Sequence, residues 1–142
     1  MKVKVKWLDA VSFEGSNASD HKVIMDGPES AGGQDQGFRP MEMLLLGIGG
    51  CSSFDVIQIL KKSKQQVKDC IVNVEAQRVD AVPAVFKKIH LQFEVSGKQL
   101  KPQLVKRAVA LSSEKYCSAS LMMQKASVEV THDVSITEVD TE

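Results

Sequence analysis

From residue 2 to residue 7 the chain alternates lysine with apolar side chains, and Val3, Val5 and Trp7 share one face. A period of two predicts a half-buried strand. Two further short strands are predicted over 11–15 and 21–25, joined by the turn cluster Ser16-Asn-Ala-Ser-Asp20. Together they suggest an antiparallel meander. Residues 27–38 hold four of the nine glycines and one of the four prolines, and read as a polar, mobile loop just before the main helix. Pro40 suits the first turn of that helix, where its missing N–H costs nothing. The helix is predicted to run from Met41 to about Lys62. Its first half is apolar almost all round, which predicts burial on every side, and its second half is amphipathic through Phe54, Val56, Ile57, Ile59 and Leu60.

The alternation resumes over 67–79 and 86–95, where Ile89, Leu91, Phe93 and Val95 oppose Lys88, His90, Gln92 and Glu94. These segments predict a hairpin of two strands. Pro102 opens a second helix to about Lys115, with Leu104, Val105, Ala108, Val109 and Leu111 as its apolar stripe. A shorter helix over 117–126 and a last strand over 128–136 complete the pattern. The order βββ-α-ββ-α-α-β predicts an α+β fold with an antiparallel sheet.

Two cysteines interrupt this regularity. Cys51 ends the run Met43-Leu-Leu-Leu-Gly-Ile-Gly-Gly-Cys51, where Gly47, Gly49 and Gly50 each cost a helix about 1 kcal/mol relative to alanine. Close approach of another backbone, or room beside Cys51, would offset that cost. Cys117 stands where one helical pattern stops and the next begins, in a first turn whose free N–H groups favour a thiolate. Cys70 lies in an alternating strand and reads as structural. His21, His90 and His132 are scattered, with no CxxC, so no zinc site is expected. Asp55, one turn beyond Cys51, reads as a solvated or bridged surface carboxylate. Met41, Met43, Met122 and Met123 supply apolar surface near the cysteines, either as core or as an adaptable pocket. Tyr116 either covers such a pocket or anchors the core.

A length of 142 residues predicts a single domain over 1–142 with a core of its own. Eighteen basic and eighteen acidic residues balance to zero, which argues against nucleic-acid binding. Residues 1–7, alternating charge with apolar side chains, do not read as a signal peptide, and the longest apolar run is about half a bilayer span. A cytoplasmic protein without a membrane partner is expected, and an odd count of three cysteines does not suit a structural disulfide framework.

The run Pro40-Met-Glu42-Met-Leu-Leu-Leu-Gly-Ile-Gly-Gly-Cys51, the segment Tyr116-Cys117-Ser118 and the separation of 66 residues between the cysteines resemble the OsmC/Ohr family of osmotically induced and organic-hydroperoxide-resistance proteins. The nearest subgroup carries a G-G-C-S helix. The resemblance covers essentially the whole chain. It implies antiparallel sheets packed on a long central helix, in an intertwined homodimer with sites near the subunit interface. It also implies that Cys51 attacks an organic peroxide, that Cys117 resolves the sulfenic acid into a disulfide, and that a dithiol of the lipoyl type reduces it. No metal or organic cofactor is implied. An Arg–Glu pair assists the attacking thiol in the hydroperoxide-resistance branch. Here Met41 holds the usual glutamate position with Glu42 next to it, and Arg39 is the first arginine of the chain. Arg39 and Glu42 are therefore the candidates for the pair, with Lys4, Lys6 and Lys22 on the segment where the family arginine lies. The alternative function is a non-catalytic relative that binds an apolar ligand at the dimer interface.

Overall fold

The structure is a computed structural model that describes residues 1–140, so the last two residues of the expected domain lie outside the described ones. The backbone groups into two compact units, Met1–Leu44 and Leu45–Glu142.

In the first unit, β1 (Val3–Asp9), β2 (Ser12–Asn17) and β3 (Lys22–Met25) form the predicted antiparallel meander in the order β1-β2-β3. Val11 falls in the tight β1–β2 turn rather than in a strand. Ala10 there has a φ of 46°, and its carbonyl accepts from Trp7 Nε1 at 2.8 Å. At the second turn, Asn17 Oδ1 accepts from the backbone N–H groups of Ser19 and His21, which is local side-chain capping of a turn. The sheet buries no apolar side chain: Asp26 is the one buried residue of this unit.

Asp26 also accounts for the glycine-rich loop. Its carboxylate accepts from the backbone N–H groups of Gly27, Gln34 and Gln36 at 2.7, 3.2 and 3.2 Å. Between these anchors the chain makes one 3-10 turn, Glu29–Ala31, closed by Gly32 at a φ of 88°. A Cβ on Gly33 would run into the Gly27 carbonyl, so only glycine fits there. A loop expected to be mobile is thus clasped onto one carboxylate.

Helix α1 (Pro40–Lys62) is continuous through the glycines. By length and composition it passes as a membrane span; Ile48, Val56 and Leu60 are fully buried, but Leu44 and Leu46 are about half exposed, so the expected burial of its first half on every side does not hold within one copy. In the second unit, β4 (Gln66–Arg78), β5 (Phe86–Lys98) and β6 (Glu129–Glu138) form a sheet in the order β4-β5-β6. The alternation in β5 is borne out, since Ile89, Leu91, Phe93 and Val95 have essentially no exposure. Val105, Ala108 and Val109 of α2 (Pro102–Leu111), which lies against β6, are buried as well. A Cβ on Gly49 would meet Val74 Cγ2 at 3.1 Å, so α1 and β4 approach closely at that glycine.

The expectation of wholly antiparallel sheets needs one correction: β5 and β6 are parallel, from Lys88↔Glu129 to Gly97↔Glu138. Two helices lie between these strands and carry the chain back to the start of β5, so β6 leaves in the same direction. The fold class is α+β, as expected.

Candidate functional site

Helix α2 does not simply stop before Cys117. Ser112–Tyr116 wind into a π-helical turn, a wider turn that is rare and recurs at functional sites. It ends in extended backbone at Cys117, with φ −74° and ψ 106°, and Cys117 becomes the N-cap of α3 (Ser118–Lys125). Cys117 N–H donates to Ser112 O at 2.8 Å, closing the π turn. Its side chain takes the role usually filled by serine or aspartate, accepting from Ser120 N–H at 3.4 Å. Cys117 therefore occupies the cap itself and not the first turn.

Serines lock this corner to α1. Ser52 Oγ donates to Cys117 Sγ at 3.1 Å, and Ser112 Oγ donates to the Ser52 carbonyl at 3.1 Å. Ser120 Oγ and Gln124 Nε2 both donate to the Ser113 carbonyl, at 3.4 and 3.0 Å. Ser52, Ser112, Ser113 and Ser120 are all buried.

The result is a cluster of three ionisable side chains. Cys51 Sγ, Cys117 Sγ and a carboxylate oxygen of Asp55 all lie within 4.8 Å of one another. Both cysteines are free thiols, Cys51 partly exposed and Cys117 fully buried. Burial pushes the Cys117 thiol up; hydrogen bonds from Ser52 and Ser120 pull it partly back, and the neighbouring Cys51 adds to the rise. Burial likewise pushes the Asp55 carboxyl up. Asp55 is thus not the solvated or bridged surface residue expected. Its Oδ2 is buried with no hydrogen-bond partner among the described residues.

Arg39 and Glu42 lie in the first unit and are occupied there. Arg39 Nη1 pairs with Asp35 Oδ1 at 2.9 Å and donates to the carbonyls of Asp26 and Gly37 at 3.3 and 3.4 Å. Glu42 Oε1 accepts from Arg39 N–H at 2.8 Å, the reach-back of a third-position glutamate to its helix cap. Cys70 lies outside the cysteine cluster, its thiol pushed up by burial and by Asp69. Tyr116 is half exposed, so it is not a core anchor. His90 bridges to β6, with Nε2 2.7 Å from Asp133 Oδ2 and Nδ1 2.6 Å from Thr131 Oγ1.

Sequence reasoning singles out both cysteines but misses Ser52, Ser112 and Ser120, and misplaces Asp55. The i, i+4 spacing from Cys51 is the available signal for Asp55. Only the docking of Cys117 beside it turns that spacing into a site.

Two free thiols and an acid, brought together where the cap of α3 meets the long helix α1, define a cysteine-centred α+β protein. The OsmC-like protein profile matches residues 33–133, and the chain belongs to that family. It is similar to Protein YhfA of Escherichia coli strain K12, with 44% identity over 136 residues, covering 96% of this chain and 98% of the relative. A crystal structure of a hypothetical protein from Aquifex aeolicus VF5 is 27% identical with a TM-score of 0.79, covering 95% and 96% of the two chains. The organic hydroperoxide resistance protein OhrB of Bacillus subtilis shares the fold at 17% identity and a TM-score of 0.64, covering 94% and 96%.

Proposed function

We propose that the protein is a cytoplasmic thiol peroxidase that reduces organic hydroperoxides with a pair of cysteines. The observation that carries this reading is the meeting of Cys51 and Cys117, from elements 66 residues apart, with their sulfurs within 4.8 Å. A sulfenic acid on one is within a side-chain adjustment of the other, since a disulfide needs about 2.05 Å between sulfurs. The fold shared with a hydroperoxide resistance protein supports the substrate class.

Exposure supports the roles proposed here. Cys51 is partly open to solvent and attacks; Cys117 is enclosed and resolves. The Cys51 thiolate bonds to the terminal oxygen of ROOH, the O–O bond breaks, and the departing alkoxide takes a proton to leave as ROH. Cys51 is then a sulfenic acid. The Cys117 sulfur attacks the Cys51 sulfur, a disulfide forms, and the hydroxyl leaves with the Cys117 proton as water. A dithiol, of the lipoyl type by family resemblance, exchanges the disulfide back to two thiols and is itself oxidised. A cytoplasmic setting supplies such reductants. Arg39 and Glu42 enter this reading as the residues that shape and cap the entrance of α1, through the bonds described above.

The reading extends to a homodimer and to one domain over 1–142, since the family match at 33–133 takes in parts of both units. Support for the dimer comes from the uncovered meander. A groove of about 340 Å³, lined mainly by Val3, Val5, Val23, Met25 and Met43, is open on it.

The test is peptide mapping of the reduced protein after one equivalent of an organic hydroperoxide, under non-reducing conditions. A Cys51–Cys117 disulfide that forms within seconds and is missing from Cys51→Ser is the expected result. If both thiols stay free, the peroxidase reading fails, and the apolar groove turns the search to ligand binding.

A further inference from the structure

We infer that Cys51, Asp55 and Cys117 form a binding site for a thiophilic divalent cation, zinc above all. Sequence spacing alone argues against a zinc site, because it registers only CxxC and paired histidines. Here the ligands come from two separate elements. Cys51 and Asp55 are four residues apart on α1, one turn on the same face, and Cys117 closes the set from the cap of α3.

The donor geometry is suitable. Tetrahedral zinc, with Zn–S near 2.3 Å and Zn–O about 2.0–2.2 Å, places its ligand atoms about 3.5–3.8 Å from one another. The three donor atoms already lie within 4.8 Å of one another.

A second observation points the same way. Asp55 Oδ2 is buried and has no hydrogen-bond partner among the described residues. Buried polar oxygens are nearly always satisfied, and an unpaired one beside two thiols is an acceptor placed to ligate a cation. Donors to Cys117 Sγ from Ser52 Oγ and Ser120 N–H fix the direction of that sulfur, as outer partners do for metal ligands. Two sulfurs select zinc over magnesium, calcium or manganese, which prefer all-oxygen sites. Three protein ligands leave the fourth position open to water.

This site does not depend on the peroxidase reading, but it bears on it. A bound cation occupies the sulfur lone pairs that attack and disulfide formation need. Zinc and the Cys51–Cys117 disulfide therefore exclude each other, and the cation acts as a reversible shield on the thiols.

The experiment is titration of the fully reduced full-length chain with Zn²⁺ in competition with a chromophoric chelator of micromolar affinity. One equivalent per chain is expected, retained in Cys70→Ser. Asp55→Asn should weaken binding by at least about tenfold, given that even outer partners contribute 10–100-fold. Cys51→Ser and Cys117→Ser should each weaken it further. Thermal melts of every variant establish that it is folded. Because Cys117→Ser removes a buried thiol, a second measurement uses the unaltered chain: one equivalent of Zn²⁺ should slow alkylation of Cys51 but not of Cys70. Failure to compete with the chelator, binding that survives Asp55→Asn unchanged, or unprotected Cys51 each overturns the site. Zinc binding in a protein whose thiols ignore peroxide would leave the site standing while the peroxidase reading fell.

Discussion

A single carboxylate can organise a dozen residues when the backbone turns its N–H groups inward, and Asp26 does this for the loop before α1. Burial alone pushes its carboxyl up, but the N–H groups of Gln36, Gly27 and Gln34 and the charge of Arg39 outweigh that effect, so the net shift is downward from 3.8. The folded chain therefore holds the Asp26 proton less tightly than the unfolded chain. This contribution to stability is fully present above about pH 4 and disappears as pH falls through the lowered folded value. Asp26→Asn should lower the urea midpoint at pH 6 and 7, and the gap from the unaltered protein should close below pH 3.8. A gap that stays constant between pH 7 and pH 3 would show that the carboxylate charge plays no part in the clasp. None of this was legible from composition. Four glycines and a proline read as mobility, because sequence reports the freedom of a segment and not the acceptor that removes it.

At the scale of elements, the glycines of α1 separate into two kinds. Gly49 faces β4, where an added Cβ meets Val74 Cγ2 at 3.1 Å, whereas Gly47 and Gly50 have nothing within 4 Å. Gly49→Val should force the helix and strand apart and destabilise by about 1–3 kcal/mol, as overpacked cores do. Gly49→Ala should come out near neutral, its helix gain of about 1 kcal/mol offset by the tight contact. Chemical denaturation of the two variants checks this; equal midpoints would mean that α1 is not held against β4 at this point. The sequence left open, for all three glycines, a close backbone or room beside Cys51; at Gly49 the neighbour is instead the Val74 side chain, which fills the space a Cβ would take. Strand faces were readable, since Leu91 and Phe93 alternate with Gln92 and the core follows the period. Strand direction was not. Alternation says which side chains point inward and is silent on which way a partner runs, so the parallel pairing of β6 depended on the path of α2 and α3. The π turn at Ser112–Tyr116 was hidden for a similar reason: helical periodicity tolerates one extra residue, and the turn ends at Cys117, whose sulfur accepts from Ser52.

For the whole molecule, the difficulty is the uncovered apolar surface of one copy. The β1–β3 meander buries no apolar side chain, and Trp7 is 65% exposed. On α1, Phe54 is 66% exposed, and Gly47 and Gly50 face open space at a helix cost that nothing in one copy offsets. A sheet of three strands without a covered face is not independently stable in water. The proposed homodimer would account for each of these features, with a second copy covering the sheet, burying Phe54 or packing a backbone against the glycines. Sedimentation should accordingly find a dimer at micromolar concentration. Phe54→Asp should shift it toward monomer, and in the monomer the amides of β1–β3 should exchange with solvent before those of β5. Gly50→Leu should weaken the dimer in the same direction, although in an isolated helix replacing glycine by leucine would be stabilising. That opposition of sign is the discriminating measurement. A Gly50→Leu chain that is more stable and equally dimeric would mean the glycine face of α1 meets solvent, and the cover for the meander would have to be sought in a ligand.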